Sequence, residues 1–224
     1  MTPPHDTAII DEVRGVGAFT NIQMVDFETA RRDGRIRMVG REMDEAFLEA
    51  IQGSCLNLAA CREIGAKMKI VYTALHGTGG TLAPEALLRR GFARVIEVPE
   101  QAVFSGEFPT VKSPNPEEGP ALAMAIDLAR REGADLVIAT APDADRAGIA
   151  VRAPDGSFAL LTGNQTAALM THYICDQLTR AGKFPANGAV LTTIVSSDLM
   201  KAVGRAYGAE VIETLTGFSS LPTA

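Results

Sequence analysis

The sequence predicts an α/β protein: a three-layer α/β/α domain with a mostly parallel mixed sheet, followed by a truncated second α/β module of the same kind. Three observations predict it. From Lys69 onward, apolar runs of strand length alternate with segments whose apolar residues recur at helical spacing, the signature of a parallel sheet covered by helices. Ala153-Pro-Asp-Gly156 is a turn sequence between two apolar runs, so the sheet gains an antiparallel hairpin. The chain then closes on one more strand-helix-strand repeat, which alone cannot bury both faces of its own sheet.

In chain order, residues 1 to about 40 read as the tail of a preceding domain and a linker. Asp6 to Val13 has the pattern of a short helix capped by Asp6, and the polar stretch after it has no clear period. Asp44 to Ile51 places Phe47, Leu48 and Ile51 on one helix face, with Asp44 as the cap. Lys69 to Leu75 is the first strong strand. A helix through Pro84 to Arg90 follows, with Pro near its first turn and Gly91 at its end, then a strand from Ala93 to Val98. Pro99 to Pro116 reads as a long polar loop. Ala121 to Arg131 presents Leu122, Ile126 and Ala129 as a helix face, leading into the strand Ala134 to Ala139. Gly148 to Val151 and Ser157 to Leu161 form the hairpin. Thr162 with Gln165 three residues on is a capping-box pattern that opens a helix to about Ala181. A strand from Gly188 to Val195, a helix from Asp198 to Tyr207 and a strand from Glu210 to Thr214 complete the pattern.

Composition narrows the classes. With 224 residues, 46% of them hydrophobic, there is core material for one large domain or two small ones. A net charge of -6 without any basic run argues against a nucleic-acid surface. The odd, sparse set Cys55, Cys61 and Cys175 points to reduced thiols in a cytoplasmic protein. The first residues do not form a signal peptide, and no stretch approaches eighteen uninterrupted apolar residues, so no membrane association is expected.

The stretch Thr140-Ala-Pro-Asp-Ala-Asp-Arg146 carries the chemistry. It follows a buried strand, where ligands of open α/β sheets bind. In locally extended backbone Asp143 and Asp145 point to one side, a geometry suited to a hard cation such as Mg2+. Arg146 beside them suits a phosphate oxyanion through its donor fork. The competing reading is a simple turn, since Pro and Asp are turn residues.

Other motifs are weaker. His76-Gly-Thr-Gly-Gly80 sits between strand and helix, where backbone N–H groups hold anions; a tight turn is the equal alternative. A dinucleotide site, with Glu97 on the ribose, stands third, because Leu82 occupies the position of the third glycine of G-x-G-x-x-G. His172, Cys175 and Asp176 share a helix face without a second ligand cluster, so packing is preferred to metal binding. Ser196, Ser197 and Asp198 read as helix caps, and Lys112 as a solvated lysine in preference to a phosphate contact.

Five segments together, Tyr72 to Gly80, Phe108 to Glu117, Pro142 to Arg146, Leu161 to Gln165 and Glu213 to Phe218, resemble the bacterial phosphoglucomutase/phosphomannomutase (α-D-phosphohexomutase) family, in order and over nearly the whole chain. The resemblance implies domain II with its metal loop over 41–156 and the N-terminal part of domain III, truncated, over 157–224. It implies a phosphoserine- and Mg2+-dependent isomerase that interconverts hexose 1-phosphate and 6-phosphate. Asp143 and Asp145 fall on two of the three family metal ligands, Arg146 on a catalytic phosphate contact, and Thr216, Gly217 and Phe218 on the start of the sugar loop. Ala141 stands where the family has a third aspartate. The nucleophilic serine segment, a sugar motif and a phosphate loop have no match here, so the isolated chain is expected to be inactive alone, with the missing domains of the same enzyme as its partner. The rival expectation is a non-catalytic module that binds sugar phosphate or complements a partner. Glucose or mannose preference is not legible.

Overall fold

The computed structural model describes residues 3–216. Helices α1 (His5–Gly15), α2 (Phe27–Arg32), α3 (Arg41–Gln52) and α4 (Leu58–Gly65) precede the first strand. Two predicted caps are corrected. Helix α1 begins at His5, so Asp6 lies inside its first turn and accepts the Thr7 N–H at 2.7 Å instead of capping. Helix α3 begins three residues before Asp44, with Gly40 at the cap position; Asp44 sits in the first turn, where its charge faces the positive helix end. Helix α4 was not anticipated. It is capped by Asn57, whose Oδ1 accepts the Ala60 N–H at 3.0 Å.

The main sheet holds β1 (Lys69–Thr73), β2 (Arg94–Glu97), β3 (Leu136–Thr140), β4 (Ala147–Arg152) and β5 (Phe158–Leu161), in the order β2-β1-β3-β4-β5. Strand β1 pairs parallel with β2 and β3; β4 returns antiparallel on β3, and β5 on β4. The crossovers are α5 (Ala83–Arg89) between β1 and β2, and the one-turn α6 (Pro99–Ala102) followed by α7 (Gly119–Glu132) between β2 and β3. The predicted Pro99–Pro116 loop therefore opens with a helical turn.

Register explains the core. Ile96, Val71, Val137, Ala150 and Leu160 lie side by side across all five strands and form one row facing α7. Helix α7 meets that row with Ala121, Leu122, Ala125 and Ala129, all buried. Alanines four apart present a smooth stripe, so the helix axis approaches the sheet closely. The helix stops at Gly133, whose φ of 61° is the left-handed conformation of a C-terminal cap. At the amino end of β3, Asp135 accepts the Lys69 N–H at 3.0 Å and pairs with Arg152. These contacts, the Lys69 N–H first, hold its carboxyl below the usual range and tie three strands at one end, leaving the other end to the loops.

The second unit comprises α8 (Gly163–Arg180), β6 (Ala189–Thr193), α9 (Asp198–Ala206) and β7 (Glu210–Thr214), with β6 and β7 parallel. Thr162 and Gln165 form the predicted capping box. Lys201, buried on α9, pairs with Asp198 at 2.9 Å and with Glu213, so its charge is compensated. Leu169, Met170, Leu191 and Leu199 are more than half exposed. No helix among the described residues is long and apolar enough to cross a membrane.

Candidate functional site

The site forms at the carboxyl end of β1 and β3. Strand β3 ends at Thr140, paired with Ala147, and the six residues between them reverse the chain. The Ala141 N–H donates to Arg146 O at 3.0 Å and the Ala144 N–H to Ala141 O at 2.8 Å, while Ala144 takes φ +59°. The acidic segment is thus a closed turn, and the extended geometry expected for Asp143 and Asp145 is corrected: antiparallel pairing of β4 forces the reversal. Both carboxylates and Arg146 are exposed, whereas Ala141 is fully buried.

The turn stands between two clefts. One, of about 430 Å³, is lined by Ser113, Pro114, Asn115, Pro142, Asp143 and Arg146. Arg146 Nη1 reaches Asn115 Oδ1 at 3.3 Å, and its Nε lies 3.4 Å from Asp145 Oδ1. Asp143 and Arg146 therefore share this cleft, while Asp145 lies outside its lining and pairs with the arginine. Ser113 and Asn115 belong to the Phe108–Glu117 segment that carries the resemblance, but the sequence assigns neither of them a role. The other cleft, about 540 Å³ and apolar, touches the turn at Thr140 and Ala144 and is walled by Phe47, Ile51 and Leu82.

The glycine-rich segment supports the turn from behind. A Cβ on Gly77 would overlap the Pro142 backbone, and one on Gly79 the Tyr72 and Thr140 hydroxyls. The Thr78 N–H donates to Pro142 O at 2.8 Å, and the Tyr72 and Thr140 hydroxyls lie 2.8 Å apart. Burial, more than any neighbour, pushes the Tyr72 phenol up. The N–H groups of His76, Gly77 and Thr78 donate to Gln101 O, Ala74 O and Pro142 O. These three hold protein carbonyls in place of an anion, as the tight-turn reading of this segment expects.

His76 is buried with both ring nitrogens engaged, Nδ1 on Val103 O at 2.9 Å and Nε2 on Thr110 Oγ1 at 2.8 Å. Val103 O only accepts, so Nδ1 donates to it, and Nε2 shares a hydrogen bond with the Thr110 hydroxyl. Gln101 Nε2 donates to Thr110 Oγ1 at 3.1 Å, and Thr73 Oγ1 donates to Gln101 Oε1 at 2.7 Å. The hydrogen bonds run without a break from Thr73 through Gln101, Thr110 and His76 to the Val103 carbonyl. This chain straps the 103–110 loop to the end of β1. The non-glycine residues with positive φ among the described residues, Leu75, His76, Phe108 and Ala144, all lie in these loops, where strain clusters at working sites.

The remaining candidates have local partners. His172 Nδ1 meets the Tyr207 hydroxyl at 2.9 Å, and Asp176 pairs with Arg180 at 2.8 Å. Ser197 Oγ caps α9 by accepting the Leu199 N–H at 3.1 Å. Lys112 is exposed. Thr216 lies exposed just beyond β7, and Gly217 and Phe218 lie outside the described residues. Among the described residues, no three His, Cys, Asp or Glu side chains converge on one point.

Comparison with known proteins gives one consistent neighbourhood. Residues 45–156 match Phosphoglucomutase/phosphomannomutase, alpha/beta/alpha domain II, and residues 162–222 match domain III. Glucose 1,6-bisphosphate synthase of Homo sapiens is 35% identical over 228 residues, covering 97% of this chain and 35% of that protein. The phosphoribomutase of Saccharomyces cerevisiae is 33% identical, covering 97% of this chain and 37% of that protein. A Staphylococcus aureus phosphoglucomutase is 38% identical over 151 residues, covering 67% and 27%. The chain spans about a third of the length of the first two relatives. In fold, it resembles a Thermus thermophilus structure assigned to phosphomannomutase, with TM-score 0.59 and 24% identity over 79% of this chain and 37% of that one. A phosphoglucomutase/phosphomannomutase family protein from Burkholderia thailandensis gives TM-score 0.54 and 18% identity, over 72% and 33%.

Proposed function

The chain belongs to the phosphoglucomutase/phosphomannomutase family, and from that premise we propose that it forms the metal- and phosphate-binding part of a cytoplasmic phosphohexomutase. The observation that carries this reading is the closed turn 141–146, which sets Asp143 and Arg146 in one cleft at the carboxyl end of β3. Residues 41–156 act as the domain that holds the metal turn. Residues 157–224 act as the first part of the domain that meets the sugar through Thr216, Gly217 and Phe218.

The donor set fits Mg2+. Asp143 and Asp145 are exposed hard oxygen donors on a fixed turn, and Mg2+ is commonly bound by one or two carboxylates with phosphate and water completing its octahedron. Bound there, Mg2+ supplies charge neutralisation at a transferring phosphoryl group. Arg146 donates to the phosphate oxygens through its fork; Asn115 and Asp145 hold that fork at the cleft rim before substrate arrives. The substrate class is a phosphorylated sugar, with hexose 1- and 6-phosphates as the pair interconverted. The phosphoserine that donates the phosphoryl group, and the rest of the sugar clamp, come from other domains of the same enzyme.

One observation favours a second reading, a module that binds sugar phosphate without turning it over. Ala141, fully buried, offers no third carboxylate. Calorimetric titration of the chain with Mg2+ and glucose 1,6-bisphosphate tests both. Binding of Mg2+ that D143N and D145N each weaken supports the metal-holding role. Bisphosphate binding that needs Arg146 but ignores Mg2+ supports the second reading. No binding of either to the wild type or to A141D defeats both.

A further inference from the structure

We propose that Cys55 and Cys61 form a reversible dithiol–disulfide pair, a modification site on the connector between α3 and α4. Their sulfurs lie 3.8 Å apart. A disulfide needs about 2.05 Å, so the two must close by about 1.8 Å. Cys55 follows the end of α3, where the Ser54 hydroxyl and N–H and the Cys55 N–H fold back onto the last carbonyls of the helix. Cys61 lies on α4, one turn past its Asn57 cap. Both thiols are half-buried, within reach of a small oxidant, whereas Cys175 is buried. Burial first, then the contact with Cys55, pushes the Cys61 thiol up.

The pair has no third ligand to make it a metal site, since no group of three His, Cys, Asp or Glu converges among the described residues. What it encloses gives it consequence. Between the two cysteines lies Asn57, whose Oδ1 caps α4 and whose Nδ2 donates to Gln177 Oε1 on α8 at 3.1 Å. Beyond them, Cys61 O and Arg62 Cα abut Gly91, the turn between α5 and β2. A bond between the sulfurs closes a ring around the residue that joins the first set of helices to α8.

The oxidant is a hydroperoxide. One thiolate displaces hydroxide from hydrogen peroxide and becomes a sulfenic acid. The second thiolate attacks that sulfur, the S–S bond forms and the second oxygen leaves as hydroxide. Two thiols and one peroxide give one disulfide and two waters, and a dithiol reductant reverses the change.

The test is thiol counting on the folded chain, with intact mass, before and after equimolar hydrogen peroxide. Three reactive thiols in denaturant should fall to one, the mass should drop by two hydrogens without dimer formation, and dithiothreitol should restore both. C175S should go from two thiols to none, while C55S and C61S, each checked for native circular dichroism, should keep two. Three thiols after oxidation, a sulfinic acid on one cysteine or a disulfide-linked dimer would each overturn the proposal.

Discussion

Gly77 lies flat against Pro142, so the turn after β1 and the acidic turn after β3 meet backbone to backbone, with the Thr78 N–H on Pro142 O at 2.8 Å. No side chain fits between them. G77A should therefore destabilise the fold by about 1–3 kcal/mol, as overpacking does, and should weaken Mg2+ binding because the turn must shift. Urea denaturation beside a Mg2+ titration checks this. Unchanged stability would mean that the two turns separate easily.

The hydrogen-bond chain from Thr73 to Val103 predicts a sharp contrast at its centre. T110V removes the hydroxyl that Gln101 donates to and that shares a hydrogen bond with His76 Nε2, leaving two polar atoms unpaired, at a cost of about 1–3 kcal/mol. T110S keeps the hydroxyl and should stay near wild type. A T110V variant as stable as wild type would show that the hydroxyl carries no net weight, and a loss confined to T110S would assign the effect to the methyl.

Ala141 is the position where one substitution should couple folding to metal. An aspartate at this buried site is unpaired without a cation, so A141D should melt below wild type in chelator. Mg2+ at about 100 times its Kd should return about 2.7 kcal/mol. Melting curves with and without Mg2+ decide it; a variant that Mg2+ does not rescue places position 141 outside the reach of the metal.

Helices α3 and α5 are joined by Arg41, Glu45, Glu85 and Arg89. The Arg41 guanidinium first, then that of Arg89, holds the Glu85 carboxyl down to about 2. A depressed carboxyl contributes stability that is full above the ordinary glutamate range and is lost as pH falls towards the folded value. Acid unfolding between roughly pH 4.5 and pH 2 should therefore be shallower in E85Q, which has no such proton to take up. The same slope in both proteins would show that Glu85 stays as accessible to protons when folded as when unfolded.

The strands and the turn were legible in different ways. Apolar runs such as Lys69 to Thr73 and Leu136 to Thr140 announce buried strands because burial on both faces leaves little room for polar residues. The capping box at Thr162 and Gln165 is local chemistry and reads directly. Asp6 and Asp44 misled because an aspartate within the first turn of a helix carries the same signal as one at its cap, and only the backbone tells them apart. Helix α4 escaped because eight residues give too short a period. The conformation of Asp143 and Asp145 depends on β4 pairing antiparallel with β3, a tertiary fact. The segment His76 to Gly80 has the pattern of a ligand cradle, but His76 is engaged by Gln101, Val103 and Thr110, some 25 to 35 residues away, and the Thr78 N–H by Pro142 O, partners that only the tertiary fold brings up.

The antiparallel return of β4 has a further consequence. Helical crossovers leave their loops free to open and close, but residues 141–146 are fastened at both ends by adjacent ladder rungs, Thr140 with Ala147 and Ala139 with Gly148. A ligand arriving at Asp143 and Arg146 meets groups whose backbone is already immobilised, so little chain entropy is forfeited on binding. Selectivity at this corner then rests on fit to a preorganised shape, and the motions that admit and release a ligand belong to whatever faces it.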